Sequence, residues 1–263
     1  MRNLDLKNKV AIVTASTSGI GLAIALTLAE NNAKVYMAAR NKQKADQIIN
    51  NHKDLDLNFV YFDANDKQSF SSFIKEVYKK EKRIDILVNN FGLTNAEDGV
   101  ILNTNHTNFE EIVMRNIDST YIASQEAINI MMKQHSGSII NISSIASRMS
   151  DIARIAYSTS KALINSLTQN IALQVGMFGI RCNAILPGLI ETDFSKKLPQ
   201  TMIDLFVSSI PLSRIGYPQD IADTALFLSS DLSSYITGQL IAVSGGLDGG
   251  NTPLYGPLYA KKK

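Results

Sequence analysis

The sequence predicts one α/β domain: an open, doubly wound parallel sheet of seven strands, with helices on both faces and a small helical lid. Three observations lead there. Seven short β-rich runs recur along the 263 residues, helical periodicities fill the gaps between them, and no linker, repeat or low-complexity segment divides the chain. Strand alternating with helix implies right-handed βαβ units. Several of the runs are continuously apolar, which suits a strand covered on both faces. The length falls within the range of one domain, taken as 1–263, with a large core.

The elements follow in order. VAIV (10–13) is the first strand, and TASTSGIG (14–21) joins it to a helix marked by Ile20, Ile24 and Leu28 at four-residue spacing. VYMA (35–38), FVYF (59–62) and ILV (86–88) are the next three strands, and a helical pattern covers 112–133. SIINI (138–142) leads to a second long pattern over 158–175, with Ile164, Leu167, Ile171 and Val175 down one face. RCNAIL (181–186) and LIAV (240–243) complete the sheet. Between them, over 191–213, Phe194, Leu198, Met202, Leu205 and Phe206 are spaced for a small lid with an apolar underside. That underside suits a bulky apolar substrate, and it equally suits ordinary packing on the domain.

Composition narrows the function. Apolar residues make up 45% of the chain, charged residues 19%, and the formal charge is +2. Scattered basic residues, with one run at Lys261–Lys263, do not make a nucleic-acid footprint. Cys182 is the only cysteine, which excludes a disulfide framework within the chain and a Cys-rich metal site. His52, His106 and His135 lack ligand spacing, so no metal is expected. No run reaches membrane-spanning length, and the N-terminus lacks an apolar export core. The expectation is a cytoplasmic protein acting on a small molecule.

In such a sheet, ligands bind beyond the carboxyl ends of the strands. Gly19 and Gly21, after the first strand, let the backbone approach a pyrophosphate at a helix N-terminus, the Rossmann-type arrangement; a capped turn is the plain alternative. The second strand ends in Ala38-Ala39-Arg40, where an NAD enzyme would carry an acid for the ribose 2′-hydroxyl. Arg40 can instead accept a 2′-phosphate, so NADP is expected over NAD. Tyr157 and Lys161 stand one helical turn apart. A nearby ammonium favours phenolate over phenol and makes tyrosine a usable acid or base. Ser144 closes a strand thirteen residues before Tyr157, where a hydroxyl can reach a substrate carbonyl or simply cap a turn.

TASTSGIG, Asp63, NNFG (89–92), Asn116, NISS, YSTSK, LPGLIET (186–192), PLSRIGYPQDIA and YITGQLIAVSGG together resemble the short-chain dehydrogenase/reductases in order and spacing, from about Val10 to Gly246. The resemblance implies hydride exchange between a nicotinamide cofactor and an alcohol or ketone. It implies Asn116, Ser144, Tyr157 and Lys161 as catalytic residues, with Ser144 and Tyr157 on the substrate oxygen, Lys161 on the phenol and nicotinamide ribose, and Asn116 helping to place a relay water. It implies cofactor contacts from Thr17, Ser18, Gly19, Ile20 and Gly21, from Asp63 and Asn90 on the adenine and ribose side, from Gly92, and from Pro187, Gly188, Ile190 and Thr192 at the nicotinamide end. A homotetramer is implied as well. Two positions depart from the pattern: Ala15 replaces the first glycine, and Phe91 replaces alanine in NNAG, where it is expected to crowd the cofactor or substrate wall.

Within the family, 154–174, the stretch into LPGLIET, the aromatic in NNFG and the tail GNTPLY are similar to bacterial NADP-dependent 7α-hydroxysteroid dehydrogenases of clostridial type. Those enzymes oxidise the 7α-hydroxyl of bile acids, and the resemblance adds Phe91 and Phe194 as substrate contacts. Lys196 or Lys197 could then meet a bile-acid carboxylate. A 3-oxoacyl-carrier-protein reductase or another alcohol dehydrogenase of the same family is the alternative. A non-catalytic NADP sensor is the remaining one, although such proteins commonly lose the Tyr or Lys kept here.

Overall fold

The computed structural model describes residues 4–149 and 154–247. The tail carrying GNTPLY and the terminal lysines lies outside the described residues. Among these residues, seven parallel strands form one sheet in the order β3-β2-β1-β4-β5-β6-β7. They are β1 (Val10–Thr14), β2 (Lys34–Ala39), β3 (Leu57–Tyr61), β4 (Ile86–Asn89), β5 (Gly137–Ile142), β6 (Ile180–Pro187) and β7 (Leu240–Val243). The helices between them are α1 (Gly19–Glu30), α2 (Lys42–Asn51), α3 (Ser69–Glu81), α4 (His106–Gln134), α5 (Ile155–Val175), α6 (Gln200–Ser209) and α7 (Pro218–Ser229).

Each apolar run becomes a strand because it is covered twice. Val13, Val35, Met37 and Val88 pack with Ile24, Leu28 and Ile221 of α1 and α7 on one face. Ile12, Leu87 and Ile139 pack with Phe73, Ala123 and Ile171 of α3, α4 and α5 on the other. Burying each such side chain contributes about 1.5–3 kcal/mol. β3 starts two residues earlier than the apolar run suggests, because this edge strand pairs only with β2 and tolerates Asn58 in its ladder. Phe62 leaves the strand and packs its ring against Phe70 and Phe73.

The strand order reverses at β1, which lies between β2 and β4. Parallel neighbours with oppositely directed connections leave a crevice at their carboxyl ends. Thr14 and Asn90 fasten that crevice: Thr14 Oγ1 accepts from the Asn90 and Phe91 amides at 2.9 and 3.0 Å, and Asn90 Nδ2 donates to the Thr14 carbonyl at 3.0 Å. No described helix is long and apolar enough to cross a membrane.

Candidate active site

The glycine loop forms one wall. Ala15 and Gly19 both sit at φ of 52°. Ala15 thus takes the left-handed turn that glycine would take without strain, so the substitution keeps the loop's shape at some cost. A Cβ on Gly21 would lie 2.4 Å from Asn90 Nδ2 and 2.6 Å from the Ala15 carbonyl oxygen, which makes glycine obligatory there. The start of α1 has an extended Ser18 as N-cap, no side-chain cap and no acid in its first turn. Ser16 is fully buried, and its Oγ has no partner among the described residues. An uncapped helix start, an unpartnered buried hydroxyl and a cradle that a Cβ would fill suit a dinucleotide pyrophosphate. Thr17, Ser18, Gly19 and Ile20 make the mouth of this cradle, and Thr192 closes it, its Cγ2 3.5 Å from where a Gly19 Cβ would sit.

The next wall lies at the ends of β2 and β3. Arg40 is exposed and forms no ion pair with another described residue. Asp63 is engaged by its own turn: Oδ1 accepts from the Asn65 backbone and side-chain amides, each at 3.0 Å. Phe91 packs edge-on to Phe62, with ring centroids 5.8 Å apart, and joins the core beneath the site. The half-buried ring thus rests on Phe62, just beyond β3. At Gly92 a Cβ would stand 3.1 Å from Lys161 Nζ, so the missing side chain leaves room for that lysine.

The centre is built on α5. Lys161 is 2% exposed, and its Nζ donates to the Ile142 carbonyl, at the end of β5, at 2.8 Å. Burial lowers its pKa to about 8. Tyr157 is half-buried one turn earlier, and two cations face its ring: Lys161 Nζ at 5.6 Å and the Arg154 guanidinium at 5.2 Å from the centroid. Ser143 Oγ donates to the Lys161 carbonyl at 3.0 Å, which consumes that hydroxyl. Ser144 Oγ accepts from the Ala146 amide at 3.1 Å. Its own proton is left for a second partner. Asn116 is fully buried: it accepts from the Leu93 amide at 2.6 Å and donates to the Leu93 carbonyl at 3.0 Å and to Ser160 Oγ at 2.9 Å. It ties α4, the loop after β4, and α5 together.

Sequence reasoning missed two groups here. Arg154 carries no motif and is recognised only by its stacking on Tyr157. Asp98 lies in the polar stretch NAEDG of the loop after β4, yet its carboxylate accepts from the Ala156 and Tyr157 amides, each at 2.9 Å. Its sequence distance from YSTSK leaves no local signal.

The last wall follows β6. A Cβ at Gly188 would strike Ser244 Cα at 2.8 Å, so glycine lets this turn lie on the chain after β7. Pro187 and Ile190 are buried, and Ile190 pairs with Gly216. Beyond Thr192, α6 has no buried residue. Phe194 and Leu205 are 52% and 69% exposed, and Met202 and Phe206 are also uncovered. Of the five apolar lid residues, Leu198 is half-buried and the other four are exposed. Lys196 pairs with Glu191 at 3.5 Å.

Comparison with known proteins agrees with this geometry. The family profile described as enoyl-(acyl carrier protein) reductase matches residues 14–248. A 7α-hydroxysteroid dehydrogenase of Clostridium sardiniense is 46% identical over 254 residues, covering 95% of this chain and 97% of that protein. One from Paraclostridium sordellii is 44% identical over 262 residues, covering 98% of each. The crystal structure of a provisionally assigned gluconate dehydrogenase from Agrobacterium tumefaciens superposes with a TM-score of 0.89 at 28% identity, covering 94% of this chain and 99% of that one.

Proposed function

We propose that this chain, which belongs to the short-chain dehydrogenase/reductase family, oxidises the 7α-hydroxyl of bile acids reversibly to the 7-oxo form with NADP. The observation that carries the chemistry is a buried ammonium with no carboxylate partner among the described residues, one turn from a half-buried phenol, at the carboxyl ends of β4 and β5. The nicotinamide would supply the hydride acceptor. Tyr157 takes the hydroxyl proton as the carbinol hydride leaves. Lys161 favours the phenolate electrostatically, Ser144 offers its proton to the substrate oxygen, and Asn116 is assigned to help place a relay water.

The glycine cradle, with Asp63, Asn90, Gly92, Pro187, Gly188, Ile190 and Thr192, is assigned to the cofactor. The exposed Arg40, without an ion pair among the described residues, supports NADP, since a guanidinium can bind a 2′-phosphate in bidentate fashion. The full-length relatives named 7α-hydroxysteroid dehydrogenase support the substrate. So does the uncovered apolar surface of Phe194, Met202, Leu205 and Phe206, which a rigid steroid would cover. With Lys196 held by Glu191, Lys197 is the cation left for the bile-acid carboxylate. A homotetramer in the cytoplasm completes the proposal, and light scattering at assay concentration tests the assembly.

The deciding assay follows reduced-nicotinamide absorbance with chenodeoxycholate, ursodeoxycholate and deoxycholate, which carry a 7α-hydroxyl, a 7β-hydroxyl and none. Turnover of chenodeoxycholate alone, with NADP preferred, is expected. Silence with all three, together with NADPH-dependent reduction of a 3-oxoacyl thioester, would replace the steroid by the 3-oxoacyl-carrier-protein reductase alternative.

A further inference from the structure

We propose that Asp98 is a positioning residue for Tyr157: its carboxylate, delivered by the loop after β4, closes the N-terminus of α5 and fixes where the phenol stands. The inference rests on the reading of Tyr157 as the proton-transfer group.

A helix start leaves its first amides without intrahelical partners. At α5 the N-cap residue and the first turn supply no side-chain remedy. Arg154, the N-cap residue, sits at φ 60° and ψ 50°, provides no side-chain cap, and no acid lies in the first turn. Yet four successive amides are satisfied by two residues of a distant loop. The Arg154 amide donates to the Asp98 carbonyl and the Ile155 amide to the Gly99 carbonyl, both at 3.1 Å. The Ala156 and Tyr157 amides each donate to one carboxylate oxygen of Asp98 at 2.9 Å. The first bond within the helix comes next, from the Ser158 amide to the Arg154 carbonyl. Asp98 is 4% exposed, so its charge is held against the positive helix end with little water to compete.

The loop that carries Asp98 is itself fixed. Asn116 clamps Leu93 through both its amide and its carbonyl, Thr94 Oγ1 lies 3.4 Å from Asp98 Oδ2, and the Gly99 amide donates to Thr104 Oγ1 at 2.9 Å. A rigid loop therefore sets the register of the first turn of α5. That turn carries Tyr157, whereas Lys161 lies one turn further on, buried and bonded independently to β5. Loss of the Asp98 bonds would let the first turn fray while the lysine stays in place. The phenol would drift from the ammonium, and its pKa would rise. Cofactor contacts from the glycine cradle, on the other side of the crevice, would remain.

The test compares Asp98→Ala and Asp98→Asn with the wild type, with Tyr157→Phe alongside. Asp98→Ala should lower kcat on the order of a hundredfold, as a misplacement of about 1 Å does, with NADP affinity within about twofold by fluorescence titration. The pH at which kcat for oxidation reaches half its plateau should move upward, and amide exchange over 154–160 should accelerate. Asp98→Asn keeps one carbonyl acceptor and should recover part of kcat. Two results would overturn the proposal: a kcat in Asp98→Ala close to wild type, or a loss of kcat matched by equal losses of cofactor affinity and folded fraction with an unmoved pH profile. If Tyr157→Phe retains turnover, the reading of the site itself fails and the inference falls with it; an inactive Tyr157→Phe beside a wild-type-like Asp98→Ala isolates the failure to Asp98.

Discussion

The N-termini of α1 and α5 face the same crevice with the same shortage of hydrogen-bond partners, and they meet it in opposite ways. At α1 no side-chain cap and no first-turn acid answer the leading amides, and Ser16 Oγ beside them is buried without a partner among the described residues. At α5 the Asp98 carboxylate and the Asp98 and Gly99 carbonyls take all four leading amides. One positive helix end is left open, and the other is neutralised internally by a loop nearly sixty residues upstream. The difference shows that an unsatisfied helix start is informative only beside a satisfied one: α5 shows that this chain can cap a helix from a distance, which makes the open end of α1 the candidate anion site.

The largest way to sharpen that comparison uses the group beneath the closed end. Lys161 is fully buried, and its pKa falls from 10.5 to about 8 because burial penalises its charge. Folded protein therefore holds this proton less tightly than unfolded chain. Between about pH 8 and 10.5 the unfolded state binds more protons, and stability rises with pH across that window. Relative to Lys161→Met, apo wild-type protein should gain at most about 3 kcal/mol in urea unfolding between pH 7.5 and 10.5. A flat difference between the two proteins would mean that the ammonium is solvated after all. A smaller effect is expected from breaking the contrast at α1. Ser18→Asp places an acid at the open helix start and should stabilise the apo protein by about 0.3–1 kcal/mol. The same charge should weaken NADP binding roughly tenfold or more, because it competes with the pyrophosphate for the same amides. Unchanged affinity would show that the anion binds elsewhere.

How much of this was legible in the sequence follows from the range of each interaction. The seven strands were readable because continuous apolar runs and 3.6-residue periodicity are local consequences of burial. β3 was misplaced at its start because Asn58 interrupts the apolar run in an edge strand. Tyr157 and Lys161 were readable because a helix brings i and i+4 to one face. Asp98 was not, since its partners lie nearly sixty residues downstream and nothing local separates it from a solvated loop acid. Arg154 and the inward packing of Phe91 were hidden for the same reason: each depends on a ring that only the tertiary fold brings near.

The smallest predicted effect asks what the open end costs in backbone strain. Ala15 holds φ at 52°, and its amide donates to the Ala38 carbonyl at 2.8 Å, so β2 locks the turn in place. A non-glycine residue pays about 1–2 kcal/mol for that conformation. Glycine would relieve it while losing about 0.5–1 kcal/mol in chain entropy. Ala15→Gly should therefore raise stability by about 0.5 kcal/mol, or the thermal midpoint by about 1–2 °C, and leave NADP affinity nearly unchanged, because the turn keeps its shape. A lower midpoint would show that the Ala15 methyl contributes packing worth more than the strain. A marked fall in affinity would show that the strained turn, rather than the uncapped amides alone, holds the cradle ready, and the contrast between the two helix starts would then rest partly on rigidity at both.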